Sequence, residues 1–161
     1  MRALAHYQAI ARDDFQDAEP GNKILHELRR GELASFGEVP HSPYYGTVDA
    51  TPLFLVLLHE VWRWTADENF VRELEIPARA ALGWLLEHAD ANSDGYVDYE
   101  TLSGRGLKNQ GWKDSDDCIL FGDGAEAEGP IWLCEVQGYA YEAYTRIAEL
   151  AEAVWDDTGL A

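Results

Sequence analysis

With 161 residues, 47% of them hydrophobic and among them six tryptophans, eight tyrosines and five phenylalanines, the chain has enough apolar content for one domain with its own core, which excludes disorder. Thirty acidic side chains against twelve basic ones give a net charge of -18, which repels phosphate backbones and anionic lipid, so neither nucleic acid nor membrane is an expected partner. The longest apolar run, Leu53 to Leu58, falls far below the roughly 20 residues that span a bilayer, and Cys118 and Cys134 are too few and too separate for a disulfide framework or a four-ligand zinc site.

The first helical period lies in Lys23 to Leu33, after Glu19-Pro20-Gly21, with Ile24, Leu25 and Leu28 on one side. Ser35 to Gly46 carries Gly37, Pro40, Ser42, Pro43 and Gly46 and reads as a loop with an aromatic tip, Tyr44-Tyr45. Asp49 or Thr51 caps the next helix, with Pro52 in its first turn. Leu53 to Trp64 then stays apolar on nearly every face until Thr65-Ala66-Asp67, the pattern of a central helix.

Phe70, Val71 and Leu74 open a second helix, Pro77 kinks or splits it, and Ala80, Ala81, Trp84, Leu85 and His88 continue it as the partner in a helical hairpin. Asp90 to Tyr99 is turn-rich and then briefly alternating, and Thr101 to Asp123 is rich in Gly, Asn and Asp. A short β excursion followed by a long loop is expected there. From Ile131 to Trp155, Leu133, Val136, Ala140, Tyr144, Ile147, Leu150 and Val154 recur at helical spacing. The fold class is therefore all-α, helical hairpins separated by long loops. Loops beyond about 15 residues in a compact domain usually carry function.

The densest chemistry lies in Asn109-Gln110-Gly111-Trp112-Lys113-Asp114-Ser115-Asp116-Asp117, with three carboxylates in four residues beside a tryptophan, a lysine and an amide pair. If partly buried, carboxylates this close cannot all ionise freely, and a carboxyl pushed to higher pKa suits a general acid at neutral pH. A solvated acidic turn explains the same residues. The stretch from Asp90 to Thr101 has the oxygen spacing of a calcium loop at Asp90, Asn92, Asp94 and Asp98, with Gly95 at the sixth place. Thr101 stands where the bidentate glutamate belongs, so a structural turn is expected and no metal.

Five strings in order resemble the amylo-α-1,6-glucosidase, or glycogen debranching enzyme-like, family. They are Asp17-Ala18-Glu19-Pro20-Gly21, Ile24 to Glu32, Tyr44 to Phe54, Asn109 to Ser115, and Cys134-Glu135-Val136-Gln137-Gly138-Tyr139. The resemblance implies part of an (α/α)6 toroid, a single partial catalytic domain over residues 1–161, and hydrolysis of α-glucosidic bonds by inversion. It further implies a protein that takes an α-glucoside or oligosaccharide and uses no cofactor, while the short apolar runs and the polar His6, Tyr7 and Gln8 near Met1 lead one to expect a cytoplasmic location. The family's general base is a glutamate downstream of these motifs, with no counterpart after Trp155. An incomplete toroid exposes apolar faces, so self-association or a complementing chain is expected.

In toroidal glycosidases that this chain resembles, the acid follows a tryptophan in a Trp-x-Ser-Gly-x-Asp pattern, which places it at Asp117. The serine is shifted by one residue and Asp116 replaces the glycine, so Asp114 stands as a second choice. Asp49 is either a helix cap or a ligand of glucose hydroxyls. Tyr44, Tyr45 and Trp112 either stack on the apolar face of a sugar or belong to the core. Lys113, Glu135 and Gln137 complete the candidate substrate-binding set, although Glu135 at a helix start is equally explained by the helix dipole. Arg29 and Glu32 are spaced as a helix-face ion pair.

Overall fold

The computed structural model describes residues 1–8, 21–38, 43–101 and 106–161. Among the described residues all regular secondary structure is helical: α1 Arg2–His6, α2 Glu32–Ser35, α3 Ala50–Thr65, α4 Glu68–Glu73, α5 Glu75–Glu87 and α6 Cys134–Ala153. None of these helices is long and apolar enough to cross a membrane. The expected β excursion is reduced to isolated antiparallel bridges, Tyr99 with Ile131 and Leu120 with Glu126.

α3 is the central element, packing mainly on α6 and next on α5. Its inner face repeats every three to four residues through Thr51, Phe54, Leu55, Leu58 and His59, all buried. Pro52 sits in the first turn, where a missing N–H costs nothing. The helix ends where Ala66 turns left-handed at φ 54° and its N–H donates to the Trp62 carbonyl. α3 is not apolar to the core on every side, because Leu53, Leu57 and Trp64 point to solvent, Trp64 with 86% of its surface exposed.

Asp67 starts α4 by accepting the Phe70 N–H at 3.0 Å, the side-chain cap that stops α3 and α4 from merging. The α4–α5 break falls at Leu74, and Pro77 lies in the first turn of α5, so the expected split of the second helix is present. α6 opens at Cys134 rather than Ile131, since Ile131 exchanges backbone hydrogen bonds with Tyr99 instead of starting a helix. Val136, Ala140, Ala143, Ile147, Leu150 and Ala151 form its buried stripe. Val97, Tyr99, Ala127, Ile131 and Leu133 extend the same core into the excursion between α5 and α6.

The helix expected over Lys23 to Leu33 does not form. Lys23, Ile24 and Leu25 are buried in succession, which an amphipathic helix cannot arrange. The Ile24 N–H donates to Thr51 Oγ1 at 3.0 Å, and Glu27 and Tyr44 exchange backbone hydrogen bonds as an antiparallel pair. Tertiary partners on α3 and in the Tyr44 segment thus override local helical pattern, and only Glu32–Ser35 turns helical. Arg29 pairs with Glu27 instead of Glu32.

Candidate functional site

Tyr44 and Tyr45 are not a loop tip. Both are buried, at 0% and 3% exposure, and a buried ring offers a sugar no face. The Tyr44 hydroxyl accepts the Leu107 N–H at 2.6 Å, its ring lies 4.4 Å under the Arg29 guanidinium, and the Tyr45 hydroxyl donates to the Tyr7 carbonyl at 2.6 Å. Asp49 occupies the position before α3, yet its carboxylate caps no helix N–H and instead accepts a hydrogen bond from Thr47 Oγ1. These residues assemble the floor beneath the long loops, with Val48 donating its N–H to the Gln110 carbonyl at 2.9 Å.

Asn109 shapes the acidic loop above that floor. It is buried, and its Nδ2 donates to the carbonyls of Ser115 at 2.7 Å and Asp116 at 3.2 Å, folding residues 111–117 back over themselves. Tyr99 donates its hydroxyl to Asn109 Oδ1, and burial pushes that phenol up to about 12, so it remains a neutral donor. A side chain at position 111 would run into Leu133, which explains the glycine there. The fold therefore turns Trp112, Lys113, Asp114, Asp116 and Asp117 outward, all exposed. The partly buried carboxylate cluster expected of this loop is not formed, because all three aspartates stand in water, where their mutual charge is screened.

Three of the expected substrate-binding residues do come together. Trp112, Lys113 and Glu135 line one open groove of about 500 Å³ with Trp132 and Tyr139. Glu135 and Tyr139 are four residues apart on α6 and share a face, while Trp132 precedes the helix. Neither Trp132 nor Tyr139 stands out in the sequence as a ligand. Tyr139 is marked only as the last residue of the Cys134 to Tyr139 string, and Trp132 only by its place three residues before Glu135. Gln137 turns away from this groove: its Oε1 accepts the Val97 N–H at 2.9 Å and its Nε2 donates to the Val97 carbonyl at 2.8 Å, clamping the excursion to α6.

A second cavity, about 440 Å³, lies at the C-terminal end of α5, with Lys23, Trp84, Asp98, Glu100 and Gln110 in its lining. Asp98 is 6% exposed, and burial raises its carboxyl above the ordinary aspartate value. A backbone hydrogen bond from Ala91 opposes that rise, while Asp90, Asp94 and Glu100 add to it. Lys23, also buried, holds its ammonium 5.0 Å from the centroid of the Trp84 ring.

The turn beside this cavity closes on itself as the sequence leads one to expect. Asp90 accepts the N–H groups of Asp94 and Gly95, and Asp94 accepts that of Tyr96. Gly95 has a φ of 91°, which only glycine adopts without strain. Among the described residues no three His, Cys, Asp or Glu side chains are placed to hold a metal ion.

Compared with known proteins, the chain matches no family model and no curated sequence, so its likeness to debranching-type glycosidases rests on the motifs quoted above.

Proposed function

We propose that this chain carries the sugar groove and the proton-donating loop of an α-glucoside hydrolase, and that α3, α5 and α6 belong to an (α/α)6 toroid. One observation carries the reading: Trp112, Lys113 and Glu135, picked out on the motifs alone, line a single groove with Trp132 and Tyr139. Two exposed indole rings and a half-buried phenol beside a carboxylate and an ammonium suit a neutral polyol, whose C–H face stacks while its hydroxyls bond to the charged groups. The acidic field costs such a ligand nothing, whereas it repels phosphorylated ones.

In this mechanism Asp117, or Asp114 in its place, delivers a proton to the leaving glycosidic oxygen. In the same displacement a carboxylate about 6.5 to 9.5 Å away activates the attacking water on the opposite face, a role the resemblance assigns to none of the residues named above. A second reading, sugar binding without hydrolysis, is favoured by the exposure of Asp114, Asp116 and Asp117 to solvent.

Glucose release from isomaltose, panose and maltose, measured beside Asp117→Asn and Asp114→Asn, decides between the two. Release that disappears in one variant identifies the acid. Saturable binding with no release assigns the chain to sugar binding alone, and neither binding nor release by a folded sample refutes both.

A further inference from the structure

Three tyrosines line one open groove of about 370 Å³ between the C-terminal end of α5, the turn that follows it and α6. Tyr141 and Tyr144 lie three residues apart on one face of α6, and the turn brings Tyr96 to the same groove. Tyr144 is half-buried against the core, but Tyr96 and Tyr141 keep 57% and 69% of their surface in solvent, so core packing does not account for them. Single exposed rings are ordinary, whereas rings gathered around one concavity mark a binding surface.

The surroundings select a cation. Among the described residues the lining holds no lysine, arginine or histidine, and its one carboxylate is Asp90. That charge is felt at the rings: burial raises the Tyr144 phenol above the ordinary tyrosine value, and Asp90 adds to the rise. Leu85 and Leu86 in the lining belong to the last turn of α5, the negative end of its dipole, and that turn carries no basic side chain. The groove's own hydrogen-bonding groups are already engaged. Asp90 accepts the N–H groups of Asp94 and Gly95, Gln137 is held at both its polar atoms by Val97, and the Tyr144 hydroxyl donates to the Leu85 carbonyl at 3.4 Å. A sugar or a primary ammonium goes short of partners there, whereas a quaternary ammonium has no N–H to satisfy and needs only ring faces and a negative field.

We propose that this groove binds a small quaternary ammonium compound, with its trimethylammonium head against Tyr96, Tyr141 and Tyr144 and its charge in the field of Asp90. The site shares no lining residue with the Trp112 groove and does not depend on the sugar reading of that groove. α6 thus presents two different faces to two different ligands, Glu135 and Tyr139 to one and Tyr141 and Tyr144 to the other.

Choline and the uncharged alcohol in which carbon replaces its nitrogen, each titrated into the full chain with ring-labelled tyrosines, separate a cation site from an apolar groove. The Tyr144 ring resonance, identified by its loss in Tyr144→Phe, is expected to shift to saturation with choline, and the alcohol to bind at least about tenfold more weakly. Tyr141→Ala, at an exposed position on α6, is expected to weaken choline binding at least about tenfold, while Tyr141→Phe, which keeps the ring face, stays within about threefold of the parent. Tyr96→Ala serves in the same way where Tyr141→Ala does not fold. Trp112→Ala leaves the choline response unchanged, so this site and the sugar groove fail separately. Equal binding of the uncharged alcohol, a choline response that survives the alanine variant, a Tyr144 shift that isomaltose saturates, or no shift with choline in a folded sample each overturns the proposal.

Discussion

His59 Nε2 lies 2.6 Å from Glu149 Oε2, joining a fully buried ring on α3 to a half-exposed carboxylate on α6. Arg146 holds the other oxygen of the same carboxylate at 3.4 Å, so Glu149 is fixed from two sides. Among the described residues this is the one side-chain hydrogen bond that joins α3 to α6, and it fixes how the two helices lie against each other along an interface otherwise built from apolar side chains. His59→Ala removes a buried ring and leaves a void, and should lower stability by about 2 to 4 kcal/mol. Glu149→Gln keeps the volume and should cost about 0.5 to 1.5 kcal/mol. Urea unfolding with an unchanged slope checks both, and equal losses would contradict the contact's role.

Tyr44 is the keystone under the long loops, and Gly46 makes room for it. A methyl group at position 46 would fall within the Tyr44 phenol, and that ring is fully buried with nowhere to move. Gly46→Ala should therefore destabilise by about 1 to 3 kcal/mol. Tyr44→Phe keeps the ring but strands the Leu107 N–H, costing about 1 to 3 kcal/mol. Thermal unfolding of the two variants measures both losses, and a neutral Gly46→Ala would contradict the packing.

How much of this was legible depended on where tertiary contacts agreed with local pattern. The inner face of α3, the stripe of α6 and the break before Pro77 follow apolar period and proline chemistry, and they stand where the sequence places them. Lys23 to Leu33 has helical period too, but Thr51 Oγ1 and the Tyr44 backbone offer its N–H groups better partners, which no local window contains. The same holds for the site. Trp112, Lys113 and Glu135 were findable as motif residues. The pairing of Ile131 with Tyr99, which holds Trp132 outside α6, is a contact between distant segments, and the burial of Asp98, spaced in the sequence as a calcium-loop oxygen, comes from packing that no local window contains.

Asp98 gives the fold a distinct pH signature. Burial raises its native pKa above the unfolded value of 3.8, so between 3.8 and the raised value the native state binds more protons than the unfolded chain. Its contribution is thus favourable below that window and is lost as pH rises through it. Asp98→Asn should be more stable than the parent at neutral pH, and the difference should vanish in acid below 3.8. Asp157 has the opposite sign, because its hydrogen bond to Arg79 lowers its pKa and its stabilisation disappears as acid protonates it. That contribution cancels in the comparison of the two proteins. Denaturant titrations at a series of pH values give the difference curve, and a difference that grows in acid would contradict the burial argument.

Trp112 has 72% of its surface in solvent, so its loss should leave the fold intact. Trp112→Ala is expected to change stability by no more than about 0.5 kcal/mol. Its effect on sugar binding should be larger, about tenfold, from the lost stacking surface. Calorimetric unfolding and a panose titration on the same sample separate the two effects. A large stability loss would place Trp112 in the fold rather than in the groove.

The most direct test of the account is an equilibrium titration of the full chain with isomaltose and panose, followed by tryptophan fluorescence, beside Trp112→Ala and Trp132→Ala. The account predicts a saturable change that is strongly weakened in each variant, because both indoles line the groove that Glu135 and Lys113 share. A folded chain that gives no change with either sugar, or one whose response survives both substitutions, would contradict it.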